Sequence, residues 1–509
     1  MLTYRENEKF RNQHGTVVVT APRIGVPKND AAPQPWKTGL AALKQLVQDA
    51  KAANTSLCPL GAAWSLSGVV NPPGWLVETK HLNEIPAVGL PPQYVEAASG
   101  VDPARLAFVQ GGNTVARLHL ELARLGRSLR ASGASCGQTI AGAFSTGTHG
   151  SAFDVGAIHD TIVGLHVVGE DGRVYWIERA DRRVASQAFL AELGAEPKPS
   201  NALFEAALVS FGSFGLVHGV LLDTDPLFLL KRHRTRHDLR KLLAGISLGP
   251  AGFTVPATAL PRGRDGLYHF DILMNPNDVL DEGAIVQTLY RAGNVVDYHY
   301  DDKAARNLGV GDDVLGFTST LMERLGKLIN PSVRHQVKKL ENLRYPMTGD
   351  RPEVGVLGEM FPRTEFRAGG DSCEIGVDVA NARPAVDACL QAIGDLGVAY
   401  PGFIGVRFVK GSKATLAFTR FPVTCTIEMP ILRSKKTAGL FANVFARLRQ
   451  RQIPFTLHWG QAGDFTPASV QAMYGAAAVG AWRAERLGLL GAGGLARFRS
   501  RLLESSGLA

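Results

Sequence analysis

Hydrophobic positions with helical spacing predict two helices in the N-terminal part of the chain. The first is predicted by the positions Leu40, Leu43, Leu46, Val47 and Ala50. An extended segment, TSLCPLG at 55–61, follows it and leads into a loop of small residues around one indole, GAAWSLSG at 61–68. The second helix begins after Thr114, a candidate N-cap, and ends before Gly126.

Alternating patterns predict strands further along this region. Apolar residues alternate at 163–167, the turn EDGR follows at 170–173, and VYWI returns at 174–177, so we expect a β-hairpin. A helix is predicted from about Asn201, and the glycine-punctuated segment GSFGLVHGVLL at 212–222 reads as a strand.

A second region begins after Pro226, where the glycine-rich character fades. Strands are predicted at HFDILM, CEIGVDV, GVRFVKG, ATLAF, CTIEMP and IPFTLHWGQ, and helices after Pro384 and around Leu440. Two helical segments close the chain. The pattern predicts an α+β protein with a first domain at 1–226, a second at 227–450 and a C-terminal segment at 451–509.

Composition adds two constraints on the class of protein. The 509 residues are 45% hydrophobic and 20% charged, which is typical of a soluble globular chain with at least two domains. The net charge of +9 is concentrated in KRHRTRHDLRK at 231–241, which lacks the aromatic or motif support of a nucleic-acid site. We therefore expect no nucleic-acid partner, and we favour a solvated connection over a phosphate or membrane-surface patch.

Cysteine usage and the N-terminus bear on location. The five cysteines at 58, 136, 373, 389 and 425 form no CxxC pair and have no histidines at zinc-ligand spacing, so we expect neither a disulfide framework nor a metal. The first fifteen residues carry charges throughout, unlike a secretory signal, and no apolar run approaches bilayer length. These features predict a cytoplasmic protein and do not indicate membrane association.

Two small-residue loops carry the candidate chemistry. They are GAAWSLSG at 61–68 and ASGASCGQTIAGAFSTGTHGS at 131–151, and such loops let a diphosphate lie against backbone N–H groups. One loop alone could be a plain turn, but the second adds a density of hydroxyl donors that a turn does not need. Neither loop fits the GxGxxG or Walker A pattern, which disfavours nicotinamide and nucleoside triphosphate ligands.

The second loop also resembles a known family. GQTIAGAFSTGTHGS, followed by IVGLHVVGEDGRV and FEAALVSFGSFGLVHGVLL, resembles the FAD-binding domain of the vanillyl-alcohol oxidase and p-cresol methylhydroxylase (PCMH-type) superfamily. With TLHWGQ near the C-terminus, the chain looks most like the branch of aldonolactone oxidases, alditol oxidases and flavin-linked cholesterol oxidases. The resemblance implies an α+β, two-domain FAD-linked oxidase fold: an N-terminal FAD-binding domain, an α+β substrate domain and a C-terminal segment that returns to the FAD domain.

The resemblance implies which residues contact FAD. In that family the first loop wraps the diphosphate, the second follows the ribityl chain and isoalloxazine, and the strand near Gly215 holds the adenine; for Gly215 and Val217 a buried strand is an equal alternative. The implied contacts are Gly61, Ala62, Ala63, Trp64, Ser65, Gly133, Ser135, Thr139, Gly142, Ser145, Thr146, Gly147, Thr148, His149, Gly150, Gly215 and Val217.

The sequence departs from the family at the covalent link to the flavin. Many relatives have a histidine tether where Trp64 stands, and an indole offers no comparable nucleophile. Cys136 lies one position from a second tether found in some relatives, and a core thiol is its commoner role. The resemblance therefore implies FAD held without a covalent bond, with Trp64 beside the dimethylbenzene edge or in a plain core contact.

The implied catalytic residues depart as well. The family's Glu-x-Arg strand appears as IGVRF, which keeps Arg407 but has Gly405 in place of the carboxylate; Glu428 could substitute if it points inward, although a solvent-facing residue is the alternative. The family's HWGK appears as HWGQ, so Gln461 lacks the lysine charge. His458 is the candidate general base, and a hydrogen-bonded structural histidine is the alternative.

These observations predict an FAD-dependent oxidoreductase. It would oxidise a CH–OH group of an alcohol, lactone or sterol by hydride transfer to the flavin, with oxygen or another electron acceptor. One alternative is FAD-dependent oxidation of a C–N or C–C bond in a secondary metabolite, since both the Glu and Lys positions are changed. A flavin-binding module without turnover is the other.

Overall fold

The computed structural model describes residues 1–250, 252–293, 298, 337–338, 342, 345–361, 370–432 and 437–509. These residues form three main sheets with helices against them. None of the described helices has both the length and the apolar character needed to cross a bilayer. All five cysteines are buried, and none forms a disulfide bond among the described residues.

The first sheet has four strands and comes from the start of the chain. Its strands lie in the order β1-β2-β4-β3, with β1 and β2 antiparallel and the other neighbours parallel. The helix α1 packs on it through Leu43, Leu46 and Val47, as the spacing predicts. The elements are β1 (Leu2–Arg11), β2 (Val18–Pro27), α1 (Pro35–Ala52), β3 (Leu57–Leu60) and β4 (Trp75–Glu78).

The second sheet has six strands in the order β10-β9-β8-β11-β6-β5. It contains the hairpin of β8 and β9, which confirms the prediction from the alternating pattern. The Thr114 side chain caps the second helix, as predicted. Two further strands, β7 and β12, pair separately. The elements are β5 (Ala87–Val88), β6 (Leu106–Gln110), α2 (Val115–Arg124), β7 (Arg127–Ser128), α3 (Ile140–Thr146), β8 (Ile162–Val168), β9 (Val174–Glu178), α4 (Gln187–Leu193), β10 (Glu196–Pro199), α5 (Asn201–Leu208), β11 (Leu216–Asp223) and β12 (Asp225–Pro226).

The third sheet has eight strands in the order β18-β13-β17-β16-β20-β21-β19-β22, and every neighbouring pair is antiparallel. Its strands are β13 (Leu229–His237), β16 (Leu267–Met274), β17 (Ala284–Ala292), β18 (Glu353–Val356), β19 (Gly370–Asp378), β20 (Ile404–Lys410), β21 (Val423–Leu432) and β22 (Phe455–Leu457). A separate hairpin joins β14 (Ser247–Gly249) and β15 (Gly252–Thr254). The helices of this region are α6 (Leu239–Ala244), α7 (Val279–Glu282), α8 (Leu357–Met360), α9 (Ala382–Gly394), α10 (Leu440–Gln450), α11 (Pro467–Tyr474), α12 (Ala476–Arg497) and α13 (Arg501–Ser505).

The basic cluster at 231–241 is not a solvated connection, so that expectation was wrong. Most of it forms β13 inside the eight-stranded sheet, and Arg232 and Arg234 are buried. Their Nη1 atoms lie 2.9 and 2.8 Å from the carboxylate of Glu353 on β18. Because this partner stands more than a hundred residues away, the cluster looks unpaired in the sequence.

The segment ATLAF at 414–418 is not a strand, contrary to the sequence pattern. It is an irregular, largely buried turn in which the Ala417 amide donates to the Ala414 carbonyl. Its apolar side chains fill space beside Trp459, whose indole N–H donates to the Leu416 carbonyl at 2.9 Å. Burial alone therefore explains the apolar run.

The segment 451–509 contacts both regions of the chain. Its strand β22 pairs with β19 and completes the eight-stranded sheet. Its helices then reach the N-terminal region, where the Trp482 indole donates to the Val209 carbonyl at 3.1 Å and Arg497 to the Ala50 carbonyl at 2.8 Å. We keep the division into 1–226, 227–450 and 451–509 as a proposal in which the third segment fastens the first two together.

Candidate active site

A large cavity lies between the two small-residue loops and one face of the eight-stranded sheet. It holds about 1330 Å³ of empty space, counted to its open mouth. The predicted cofactor residues along its wall are Gly61, Ala62, Ala63, Trp64, Ser65, Gly133, Ser135, Thr139, Gly142, Ser145, Thr146, Thr148, His149, Gly215 and Val217. The four predicted catalytic residues, Arg407, Glu428, His458 and Gln461, line the same cavity.

Two predicted cofactor residues do not line the cavity. Gly147 ends α3 in the left-handed conformation, with φ of 85°. Gly150 stands behind the wall, where a Cβ would lie 2.3 Å from the Ser132 carbonyl oxygen. Both glycines therefore contribute to the conformation of the loop without facing the cavity.

The two loops touch each other at Gly61. A Cβ at this position would lie 2.2 Å from Oγ1 of Thr139, whose hydroxyl accepts a hydrogen bond from the Gly142 amide at 3.2 Å. No side chain fits between the loops here. The small residues thus bring two stretches of backbone to one wall of the cavity, as a diphosphate ligand requires.

Trp64 packs against the backbone of the other loop. A Cβ at Gly137 would lie 2.1 Å from Cζ2 of the indole, and the indole meets the His14 ring edge-on at 6.2 Å between centroids. The residues after Trp64 hold the C-terminal HWGQ segment: the Leu66 amide donates to the Gly460 carbonyl at 2.8 Å. The first loop therefore joins both halves of the cavity.

The residues of the cavity fit FAD. Three buried polar atoms along its wall, Ser135 Oγ, Gln138 Oε1 and Gln461 Oε1, have no hydrogen-bond partner within the part of the chain that the structure describes. Ala63 and Phe211, also in the wall, have φ of 59° and 54°, a region that residues with a side chain rarely adopt. Unsatisfied polar atoms and strained backbone at a cavity are typical of a ligand site.

Charged side chains from three neighbouring strands form the opposite wall. Glu374 of β19 stands directly across from Glu428 of β21, and Arg407 extends from β20 beside them. The Nη1 atom of Arg407 lies 2.8 Å from Glu428 Oε2 and 3.3 Å from Glu374 Oε1. The amide nitrogen of Gln461 reaches both glutamates, at 3.2 Å from Glu374 and 3.4 Å from Glu428. One guanidinium and one amide therefore bridge two buried carboxylates.

This arrangement gives the two glutamates different protonation behaviour. Burial raises the pKa of both, but for Glu374 the nearby His149 and Arg407 outweigh burial and hold the pKa below its usual range. For Glu428 burial prevails over the attraction of Arg407, and its pKa is raised. The two carboxylates raise the pKa of the Arg407 guanidinium despite its burial.

A polar row continues behind Arg407 across the sheet. Asp271 of β16 pairs in register with Arg407, and its carboxylate lies 3.1 Å from Nε2 of His269 and 3.3 Å from the amide of Gln287. Gln287 in turn accepts a hydrogen bond from Nε of Arg234 at 3.0 Å. One oxygen of Asp271 has no partner among the described residues.

His458 is buried, and its ring is already engaged. Its Nδ1 accepts a hydrogen bond from the Gly460 amide at 3.1 Å, and the ring also hydrogen bonds with the backbone of Gly147. Burial lowers the pKa of His458 to about 4. His149, Glu374 and His458 each place one polar atom within 4.8 Å of the others, and His149 Nε2 lies 3.3 Å from Glu374 Oε1.

Sequence reasoning missed Glu374. Its strand, CEIGVDV, was predicted, but the single glutamate among apolar neighbours was not singled out. Cys373, Ile375 and Val377 are buried on one face, so period-2 alternation directs Glu374 to the other face, where it is also buried. A single acid among apolar strand residues was the available signal, since the expected carboxylate is missing at Gly405, two strands away in the sheet.

Comparison with known proteins agrees with this geometry. Residues 38–178 match the family described as FAD binding domain. The chain is 28% identical to a putative D-arabinono-1,4-lactone oxidase of Neurospora crassa over 191 residues, which are 38% of this chain and 29% of that one. It is 27% identical to an L-gulono-1,4-lactone dehydrogenase of Mycobacterium tuberculosis over 190 residues, 37% of this chain and 36% of that one. The matches thus span about a third of the length of these curated relatives.

The fold match is much longer than the sequence match. The structure of cholesterol oxidase from B. sterolicum superposes with a TM-score of 0.71 and 11% identity, covering 99% of this chain and 97% of that one. This confirms the α+β, two-domain fold predicted from the sequence. The chain therefore has an FAD binding domain, FAD as its cofactor and the fold of the FAD-linked oxidases, the group that its second loop resembles.

Proposed function

We propose that the protein is an FAD-dependent oxidoreductase that oxidises a CH–OH group of a small molecule and passes the electrons to oxygen or another acceptor. The observation that carries this proposal is the position of Arg407, Glu374 and Glu428 in the same cavity as the FAD loops. The lactone oxidase and lactone dehydrogenase relatives support the same reaction class. A wall with two carboxylates, a guanidinium and an amide favours a polar substrate with several hydroxyl groups over a largely apolar sterol.

Glu428 is the group that we expect to take the hydroxyl proton. Its raised pKa brings it nearer to the range in which a carboxylate works as a general base. FAD, when bound, accepts the hydride from the carbon. Arg407 holds the Glu428 carboxylate in position at 2.8 Å and places a positive charge where negative charge develops on the substrate oxygen.

His458 fits a positioning role better than that of the base. Both sides of its ring are hydrogen bonded to backbone, and its backbone amide donates to the Glu374 carbonyl at 3.0 Å. It thereby ties the HWGQ segment to β19. We therefore propose that His458 aligns Gln461 and Glu374, and that the proton goes to Glu428.

The reaction can be tested by anaerobic mixing of the holoprotein with alcohols, lactones and sterols. We expect one hydroxylated compound to bleach the visible flavin absorbance, and Glu428→Gln to slow this by roughly 10²- to 10⁴-fold. Glu353→Gln is the matched control, since Glu353 pairs with arginines at the far edge of the same sheet. An oxidised spectrum that no compound changes would instead favour a flavin-binding module.

We also propose that FAD is held without a covalent bond, because Trp64 stands where a tethering histidine is expected. Acid denaturation of the purified protein should release all yellow colour into the supernatant. Flavin fluorescence that stays with the chain in a denaturing gel would contradict this. A reducing compartment such as the cytoplasm is the location favoured by five cysteines that form no disulfide bond among the described residues.

A further inference from the structure

The ring of His149 faces an oxygen atom on each side. Its Nδ1 lies 3.0 Å from the Gly150 carbonyl oxygen, and its Nε2 lies 3.3 Å from Oε1 of Glu374. A carbonyl oxygen only accepts, so Nδ1 must carry a hydrogen. A neutral imidazole has one N–H group, and the contact with Glu374 therefore needs a second proton, either on Nε2 or on the carboxyl group.

The surroundings of Glu374 place that proton on the histidine. Oε1 also faces Nη1 of Arg407 at 3.3 Å, and Oε2 faces the Gln461 amide at 3.2 Å, so donors surround both oxygens. Among these neighbours only Nε2 of His149 could accept from a protonated carboxyl group, and the guanidinium beside the same oxygen favours the ionised form. The lowered pKa of Glu374 agrees with an ionised carboxylate.

We propose that His149 is held as an imidazolium and is the second cation of the active site, where it balances the pair of carboxylates that Arg407 alone cannot neutralise. The inference rests on the proposed function. With Arg407 and His149 both charged, and Glu374 and Glu428 both ionised, the charges of these four groups sum to zero. Without the His149 proton it would carry one net negative charge in the cavity, which burial makes costly.

Neutrality matters for the reaction because the cofactor gains negative charge. The hydroxyl proton goes to Glu428, the hydride with its two electrons goes to FAD, and the substrate becomes the carbonyl compound. The cluster then carries one net positive charge while the reduced cofactor carries the negative charge. His149 thus supplies, from the loop, the positive charge that Gln461 does not provide.

Two other buried histidines near His149 are not candidates for the second cation. Burial keeps His458 and the nearby His159 neutral by lowering their pKa, while Glu374 of β19, Arg407 of β20 and Glu428 of β21 form the ion cluster. This leaves His149 as the candidate for that charge.

The direct test is the reduction potential of bound FAD, which needs no substrate. In His149→Gln the potential at pH 7 should fall. The double variant His149→Gln/Gln461→Lys should recover the potential, since the Gln461 amide nitrogen already lies 3.2 and 3.4 Å from the two glutamates. His233→Gln, a buried histidine on β13 outside the cavity, is the control and should leave the potential unchanged.

An unchanged potential in His149→Gln with FAD bound would overturn the proposal. If this variant does not fold, the ¹⁵N shifts of the histidine rings in the unaltered holoprotein decide. We expect the His149 ring to show both nitrogens protonated at pH 7, and a neutral ring would refute the proposal. Neither measurement depends on turnover, so a protein that oxidises none of the tested compounds would lose the proposed function but not this inference.

Discussion

The two walls of the cavity are built in opposite ways. The loop wall comes from two continuous stretches, 61–68 and 131–151, and presents backbone, small side chains and hydroxyl groups. The sheet wall presents Glu374, Arg407 and Glu428 from three strands, and these side chains meet only because the strands pair in a particular register. The loop wall should therefore be sensitive to added bulk, and the sheet wall to changes of charge.

The largest effect should follow removal of the central charge of the sheet wall. Arg407→Met removes the guanidinium that pairs with both buried carboxylates, and breaking a buried ion pair in this way costs about 3–5 kcal/mol of unfolding free energy. Denaturant unfolding of the holoprotein measures the loss. Arg449→Met is the control, since its pair with Asp464 is exposed and should contribute little.

The triple variant Arg407→Met/Glu374→Gln/Glu428→Gln sharpens the same point. It removes the charges of both carboxylates together with that of Arg407, so most of the lost stability should return while substrate oxidation stays absent. If Arg407→Met alone were as stable as the parent protein, the cluster would not be the buried ion network described above.

The difference between the two walls explains how much of each wall the sequence predicts. The loop wall is local: the residues that form it are adjacent in the chain, so composition and motif identify it, and the hairpin of β8 and β9 is equally visible in its own alternation. The sheet wall is not local. Nothing in CEIGVDV or CTIEMP indicates that Glu374 and Glu428 stand opposite each other, because that depends on register.

Two further misses have the same physical origin. The basic cluster looked solvated because Glu353, the partner of Arg232 and Arg234, is distant in sequence. The N-terminal hairpin of β1 and β2 gave little signal because β1 is largely exposed and carries charges along most of its length. A sequence pattern predicts an element that buries one face, but it does not indicate which distant residues will pair with that element in the fold.

A second prediction concerns the effect of acid pH on the N-terminal region, which carries the two loops. His119 and His218 are buried there, and burial lowers the pKa of each to about 4. In the unfolded chain each histidine has a pKa near 6.5, so it takes up a proton at a higher pH than in the folded protein. The stability that these neutral rings contribute is therefore complete above pH 6.5 and is lost as the pH falls towards 4. The two histidines together should lower the unfolding free energy by on the order of 3 kcal/mol between pH 7 and pH 5.

The measurement is the unfolding free energy of the holoprotein at both pH values. His119→Gln, which removes a ring whose Nε2 hydrogen bonds with the Ser132 hydroxyl, should reduce this pH dependence by about half. An unchanged dependence in that variant would show that the acid sensitivity lies elsewhere, for example in the ion cluster of the sheet wall.

The third prediction tests bulk on the loop wall. In Gly61→Ala the new Cβ would meet Oγ1 of Thr139 at 2.2 Å, so the loops must separate and FAD should bind about 10- to 100-fold more weakly. Gly68→Ala is a matched control in the same loop, because a Cβ there has no neighbour within 4 Å. Equal FAD affinity in the two variants, measured by flavin fluorescence, would contradict a close contact between the loops.

The smallest effect should come from Trp64, the one bulky residue of the first loop. Its indole rests on the Gly137 backbone and meets His14 edge-on, so a smaller aromatic ring keeps most of the contact. Trp64→Phe should weaken FAD binding by less than about tenfold, as volume-changing but apolar replacements usually do. The control is Trp176→Phe, which alters a buried indole outside the cavity and should leave FAD affinity unchanged. A loss as large as that of Gly61→Ala would mean that the indole itself, rather than the bare backbone around it, holds the cofactor, and the contrast between the two walls would then be weaker than the geometry implies.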